Sequence, residues 1–197
     1  MKLLHLSDTH NCHHRLRELP EADVLVHSGD FTMNGSEQEA LDFMNWLCDL
    51  PYPHKIFISG NHDDCLYGAS INGLDKNVHY LCNSGIEIEG IKFYGVPMFI
   101  EDCITKRQMH NYDNIPNDTD VIITHSPAYG ILDFDDNIHY GSIDLLERLK
   151  DIRPKLHLFG HIHKQQGLIS DGITTFSNGA IMNADYSLLN SPTIIKL

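Results

Sequence analysis

The sequence predicts a mixed α/β fold, and three observations carry that reading. Short apolar runs recur at Lys2–Ser7, Asp23–His27, Lys55–Ser59, Val121–Thr124 and Leu156–Phe159, each followed by polar or glycine residues, as buried strands are. Helical periodicity fills two of the gaps between them. Glycine-containing turn signals mark additional short strands.

Each element follows from local chemistry. Between the second and third apolar runs, Ser36 and Glu39 form a capping box, and Leu41, Phe43, Met44, Leu47 and Leu50 recur at roughly helical spacing, which predicts a crossover helix over Ser36–Leu50. A second helix is predicted at Ile143–Lys150, stopped by Pro154, ahead of the Leu156 strand. Strand, helix, strand in that order implies parallel pairing. Val78–Gly95, around Ser84-Gly85 and Glu89-Gly90, and Gly167–Ser177, with Asp171-Gly172 between two short strands, are expected to add antiparallel strands. Residues 100–119 and 130–142 are polar, Asp/Asn-rich and without clear periodicity, so they are expected to be functional loops.

Bulk properties narrow the function. A chain of 197 residues with 42% hydrophobic content is expected to form one domain over residues 1–197. Its formal charge of −13 argues against long nucleic acid as a partner, because such binding depends on Lys and Arg displacing counterions. A small phosphate ester remains compatible with that charge, since clustered divalent ions create a local positive focus. The start, MKLLHLSDTH, lacks the apolar run of a secretory signal, and no membrane partner is expected because no segment approaches the roughly 20 apolar residues of a span. Cys12, Cys48, Cys65, Cys82 and Cys103 are scattered and contain no C-x-x-C pair. A reducing, cytoplasmic location is the expectation.

Chemistry gathers where the apolar runs end. The first ends in Asp8-Thr9-His10, the second in Gly29-Asp30, the third in Gly60-Asn61-His62-Asp63, the fourth in Thr124-His125 and the fifth in Gly160-His161-Ile162-His163. In α/β sheets, ligands usually bind at the carboxyl ends of strands. In an extended chain, residues two apart point to the same side, so Asp8 and His10 are expected to meet one metal, and His161 and His163 again lie two apart on a chain leaving a strand. One histidine after a strand is ordinarily a hydrogen-bonded imidazole. Burying several carboxylates and imidazoles together without a cation, however, costs roughly several kcal/mol.

This ordered series of five motifs, spanning nearly the whole chain, resembles the calcineurin-like metallophosphoesterases. Within that superfamily, Arg153–Gly160 and the Asp171-Gly172 hairpin resemble the small metallophosphoesterase-domain phosphodiesterases of animals and their bacterial relatives. The resemblance implies a sandwich of two mixed β-sheets flanked by helices, with a dimetal site at strand carboxyl ends. It implies that Asp8, His10, Asp30 and His163 hold one metal and that Asp30, Asn61, His125 and His161 hold the other, Asp30 bridging. Two divalent or mixed-valence ions, manganese, iron, zinc or similar, would be the cofactors. Some animal members of the finer branch carry glycine where this chain has His161, and the usual glycine before the fourth-motif histidine is Thr124 here.

The implied reaction is hydrolysis of a small phosphate ester by a metal-bridging hydroxide. The resemblance suggests a phosphodiesterase acting on nucleotide-like, even cyclic nucleotide, esters. Phosphomonoesterase or protein phosphatase activity is the enzymatic alternative, and a catalytically weak scaffold on the same fold is the alternative of another class. His62 belongs to neither implied metal set and is assigned to the leaving group, with Asp63 expected to orient it and favour imidazolium.

His5, His27 and His157 lie inside predicted strands and read as core imidazoles. His13 and His14 read equally as the substrate mouth or an exposed helical turn, and Cys12 and Cys65 as cysteines packed near the motifs. Arg15, Lys106 and Arg107 are candidates for substrate contact, and Phe31, Tyr67 and Phe99 for stacking on a base, although solvation and core packing are the commoner fates of such residues. No P-loop, dinucleotide fingerprint, H-E-x-x-H motif or nucleophile elbow is present.

Overall fold

A computed structural model describes residues 1–186 and 190–197. Two mixed sheets pack face to face. The first contains β1 (Lys2–Leu6), β2 (Val24–His27), β3 (His54–Phe57), β4 (Val78–Tyr80) and β13 (Thr193–Lys196), in the order β13-β1-β2-β3-β4. The second contains β5 (Ser84–Ile88), β6 (Ile91–Val96), β7 (Val121–Thr124), β10 (Leu156–Phe159), β11 (Gly167–Ser170) and β12 (Thr175–Asn178), in the order β11-β12-β10-β7-β6-β5.

Side-chain alternation builds the layers. In β1, Leu3 packs with the cluster between the sheets, alongside Val26, Ile56, Val121, Ile123 and Leu158, while Leu4 and Leu6 face the other way. There they meet Phe43 and Leu47 of α1 (Glu37–Asp49). On the outer face of the second sheet, Ile122, Phe159 and Phe176 pack with Leu145 and Leu149 of α4 (Ile143–Ile152). The result is helix, sheet, sheet, helix. Ser36 caps α1 in a full capping box with Glu39, as the sequence predicts. The strand pairs flanking the two crossover helices, β2 with β3 and β7 with β10, are parallel.

The turn signals act as expected where a backbone requirement lies behind them. Glu89 and Gly90 both have positive φ, 50° and 80°, and close the β5–β6 hairpin. Asp171 Oδ1 accepts the amides of Ile173 and Thr174, each at 2.8 Å, and closes the β11–β12 hairpin. The Val78 end of the first hairpin region differs from expectation: β4 joins the first sheet, parallel to β3.

Residues 100–119 and 130–142 are not irregular loops throughout. The first holds α2 (Ile100–Ile104) and α3 (Arg107–Asp113), separated by Lys106 at φ 60°. Helices this short display too few turns for a period to be visible. The second holds a small hairpin, β8 (Phe134–Asp135) with β9 (Ile138–His139), turned at Asp136 and Asn137 with φ 46° and 64°. Among the described residues, no helix is long and apolar enough to cross a membrane.

Candidate metal centre

The five motifs leave β1, β2, β3, β7 and β10 and meet on a rim shared by both sheets. Ser7, just past β1, joins the chain beyond β12: its amide donates to Gly179 carbonyl at 2.8 Å, and its carbonyl accepts from Ile181 at 2.9 Å. Motifs from separate sheets thereby become neighbours.

Close approach of backbones lets the carboxylates in. A Cβ on Gly160 would lie 2.1 Å from both Asp8 Oδ2 and Ser7 Oγ, and one on Gly60 would lie 2.2 Å from Asp30 Oδ1. Both distances are far inside van der Waals contact. Gly160→Ala is therefore expected to displace the Asp8 carboxylate, lowering metal content and turnover by at least about tenfold and destabilising the fold by about 1–3 kcal/mol. Metal analysis with thermal unfolding checks this, and wild-type metal content in that variant would contradict it.

Alternation along a strand does not bring Asp8 and His10 together. Asp8, His10, Asp30 and His161 have φ of 54°, 39°, 56° and 71°, left-handed values outside the strands. Such backbones persist only where their surroundings hold them. Asp8 accepts the amide of His161 at 3.0 Å, and Asp30 Oδ1 accepts that of His62 at 2.8 Å. The carboxylates thus hold the loops that bring in the imidazoles.

Three donor groups form two clusters and a link. Asp8, His10 and His163 converge, as do Asp30, His125 and His161, while His10, Asp30 and His62 lie between them. His163 Nε2 is 3.4 Å from Asp8 Oδ1, His10 Nε2 is 3.2 Å from His163 Nε2, and His125 Nε2 is 3.3 Å from Asp30 Oδ2. Atoms bonded to one ion at ~2.0–2.2 Å stand roughly 3.0–3.5 Å apart, so these spacings suit a shared cation.

The outer ring nitrogens set the tautomers. Nδ1 of His125 lies 2.9 Å from Ser28 carbonyl, that of His10 3.2 Å from Thr32 carbonyl, and that of His163 3.2 Å from Asn183 carbonyl. A carbonyl only accepts, so each Nδ1 carries a proton and each neutral ring turns its Nε2 lone pair inward. Of the buried atoms here, Asn61 Oδ1 has no hydrogen-bond partner, and His125 Nε2 has no well-formed hydrogen bond, facing Asp30 Oδ2 at 3.3 Å. A buried lone pair without a partner is costly, and a cation satisfies both. The donor set therefore fits a metal centre on its own geometry.

Charge follows the same arrangement. Burial opposes ionisation of Asp8, yet His163, His125 and His10 hold its carboxyl well below the usual range. Burial lowers His125, but Asp30 and Asp8 outweigh it and push the imidazole up to about 10, so the two carboxylates favour a positive charge at Nε2, and a metal ion binding there would take the place of a proton. Burial brings His161 down to about 4, leaving it neutral.

Asp63 does not orient His62. Its carboxylate accepts the amides of Asp30 and Gly60 at 2.8 Å and of Thr32 at 2.9 Å, together with the Thr32 hydroxyl at 2.8 Å. It clamps the Asp30 turn to the Asn61 turn, and burial beside Asp30 pushes its carboxyl up to about 7. His62 Nδ1 instead lies 2.9 Å from Met33 carbonyl. Thr124 donates to Ser126 carbonyl at 2.6 Å and stands 2.9 Å from His157 Nε2, pinning the turn into His125.

Several expected contributors lie elsewhere. His13 is fully buried and, with His14, turns toward Asp42 rather than toward the rim. Phe31 is core, stacked on Phe43 at 4.3 Å, and Phe99 is buried as well. Arg107 pairs with Asp102 at 3.1 Å and reaches the Tyr67 hydroxyl. Tyr186 is a rim residue that sequence reasoning missed: its ring stands 5.1 Å from that of His10 and 4.9 Å from that of His163. The segment Asn183-Ala184-Asp185-Tyr186 follows β12, and its Asn and Asp were the only signal available.

A two-sheet fold whose rim gathers carboxylates and imidazoles defines a metal-dependent hydrolase class. Residues 1–165 match the calcineurin-like phosphoesterase family, and the chain belongs to that family. Its chemistry is metal-dependent phosphoester hydrolysis. A UPF0046 protein of Caenorhabditis elegans is 32% identical over 221 residues, covering 100% of this chain and 75% of its own. Metallophosphoesterase domain-containing protein 1 of Homo sapiens is 32% identical over 227 residues, covering 98% of this chain and 69% of its own. Among solved structures, TT1561 of Thermus thermophilus shares the fold with a TM-score of 0.67 at 14% identity, covering 90% of this chain and 88% of that one.

Proposed function

We propose that residues 1–197 work as one catalytic domain, a phosphodiesterase for small nucleotide-like esters. In this reading Asp8, His10, Asp30 and His163 hold one metal ion, and Asp30, Asn61, His125 and His161 hold the second, with Asp30 common to both. The observation that carries it is the pair of clusters meeting at Asp30, together with the partnerless Asn61 Oδ1. Ions bound there supply an activated water and polarise phosphoryl oxygens.

The protein's own groups do the rest. The carbonyls of Thr32, Ser28 and Asn183 keep the ligand imidazoles aimed, and Asp63 fixes the backbone of Asp30. His62, its Nδ1 tied to Met33 carbonyl, turns Nε2 toward the cleft, where it can hold a proton for the departing oxygen. His62→Ala is expected to lower turnover by about 10²–10⁴-fold while leaving metal content at the wild-type level. Joint loss of metal and turnover would make His62 a ligand instead.

Diester preference is supported by the cleft beside His62. It measures about 580 Å³, includes Met33, Asn34, Asp64 and Ile100 in its wall, and has no lysine or arginine lining it among the described residues. A phosphodiester carries one negative charge, and its second substituent can occupy such a cleft. A monoester dianion lacks that substituent and gains most from cationic side chains. Manganese-reconstituted protein assayed on bis-aryl and mono-aryl phosphates, then on cyclic nucleotides, is expected to turn over the diesters faster. Faster monoester hydrolysis would overturn the diesterase reading.

A further inference from the structure

A second group of metal-binding donors lies away from this centre. The turn of 3-10 helix at His13–Arg15 closely follows the Asp8-x-His10 motif and meets α1 through His13, whose ring lies beside Phe43. From it, His13 Nε2 and His14 Nε2 converge on one atom, Asp42 Oδ2 of α1, at 3.1 and 2.9 Å. All three donor atoms lie within 4.8 Å of one another, and none belongs to the clusters around Asp30.

We propose that His13, His14 and Asp42 form a separate site for a divalent transition-metal ion of the zinc class, which ties the turn after the first motif to α1. Two imidazoles and one carboxylate are a donor set that zinc accepts, with remaining positions taken by water. The site is half built by packing. His13 is fully buried, its ring 5.6 Å from that of Phe43 and 5.1 Å from that of Trp46, so one ligand is fixed in direction before any ion arrives. His14 and Asp42 are 59% and 45% exposed, which leaves an open side for entry and for water ligands. The nearby guanidinium does not compete for the carboxylate: Arg15 Nη1 is directed at Cys12 Sγ, 3.9 Å away.

The protonation state agrees. Burial and the neighbouring His14 bring His13 down to about 4, so its ring is neutral at physiological pH, the form that binds metal. A ligand bridging two chain segments binds the folded state alone and stabilises it by mass action. The proposal is independent of the reading of the Asp30 centre, because the two sites share no residue.

Zinc binding by the full chain tests it. Wild type, His14→Gln and Asp42→Asn are saturated with zinc, and bound zinc is counted by competition with a chromophoric chelator. His14 is exposed and Asp42 half-buried, and circular dichroism checks the fold of both variants. Wild type is expected to bind one more zinc per chain than either variant. It is also expected to gain at least about 3 °C more in Tm from saturating zinc than they do, while manganese-supported turnover is the same in all three. Equal zinc counts in the three proteins would overturn the proposal.

Discussion

Asp30→Asn is expected to lower turnover by at least about a thousandfold and to remove at least one metal ion per chain. The size of the effect comes from position. Asp30 Oδ2 lies 3.8 Å from His10 Nε2 and 3.3 Å from His125 Nε2, so one carboxylate faces donors of both clusters. Asparagine keeps the shape and keeps an oxygen for the His62 amide, which Asp30 Oδ1 accepts at 2.8 Å. It removes the negative charge that the two clusters share. Turnover and metal content measured on the same preparation check this. A variant retaining both ions would show that Asp30 is not the bridge.

Acid is expected to unfold the protein between about pH 4 and 5, through three histidines outside the site. His5, His27 and His157 are fully buried, and burial lowers each to about 3. Folded, they are neutral; unfolded, they protonate near 6.5. Their contribution is therefore fully present above pH 6.5 and is lost as pH falls from 6.5 toward 3, at ~1.4 kcal/mol per pH unit for each residue. Three together remove roughly 6 kcal/mol by pH 5, a large part of the ~5–15 kcal/mol that holds a domain. His5 is the most exposed to this effect in structural terms, since it bridges Ser177 and Ser28 at 2.8 and 2.9 Å between the sheets. Urea unfolding at pH 7, 6 and 5 measures the slope. His13, also buried outside the metal centre and brought down to about 4, adds to the same slope, so His157→Gln should reduce it by about a quarter to a third, and a flat profile for wild type would contradict the account.

The layered order of strands and crossover helices was legible because it rests on local chemistry. Ser36 with Glu39 states where α1 begins, and Asp171-Gly172 states where a hairpin turns, with no need of tertiary information. The meeting of the five motifs was legible because each ends a strand. What was not legible depends on packing between distant segments. Thr193–Lys196 is a strand because β1 offers it an edge, and α2 and α3 are too short to show a period. The expected alternation of Asp8 and His10 fails because it holds only while the chain stays extended, and both residues have positive φ. Asp63 looked like a partner for its neighbour His62. Its oxygens go instead to amides 31 and 33 residues away in sequence or just across its own turn, and only the fold brings the distant ones within reach.

The central claim is that two metal ions share Asp30, and the electron paramagnetic resonance spectrum of manganese-reconstituted protein tests it most directly. Two manganese ions bridged by one carboxylate interact magnetically. The expected spectrum is that of a spin-coupled pair, at two ions per chain, replaced in Asp30→Asn by isolated manganese or by none. A wild-type spectrum of a single uncoupled ion, or a protein that takes up no manganese, would contradict the account.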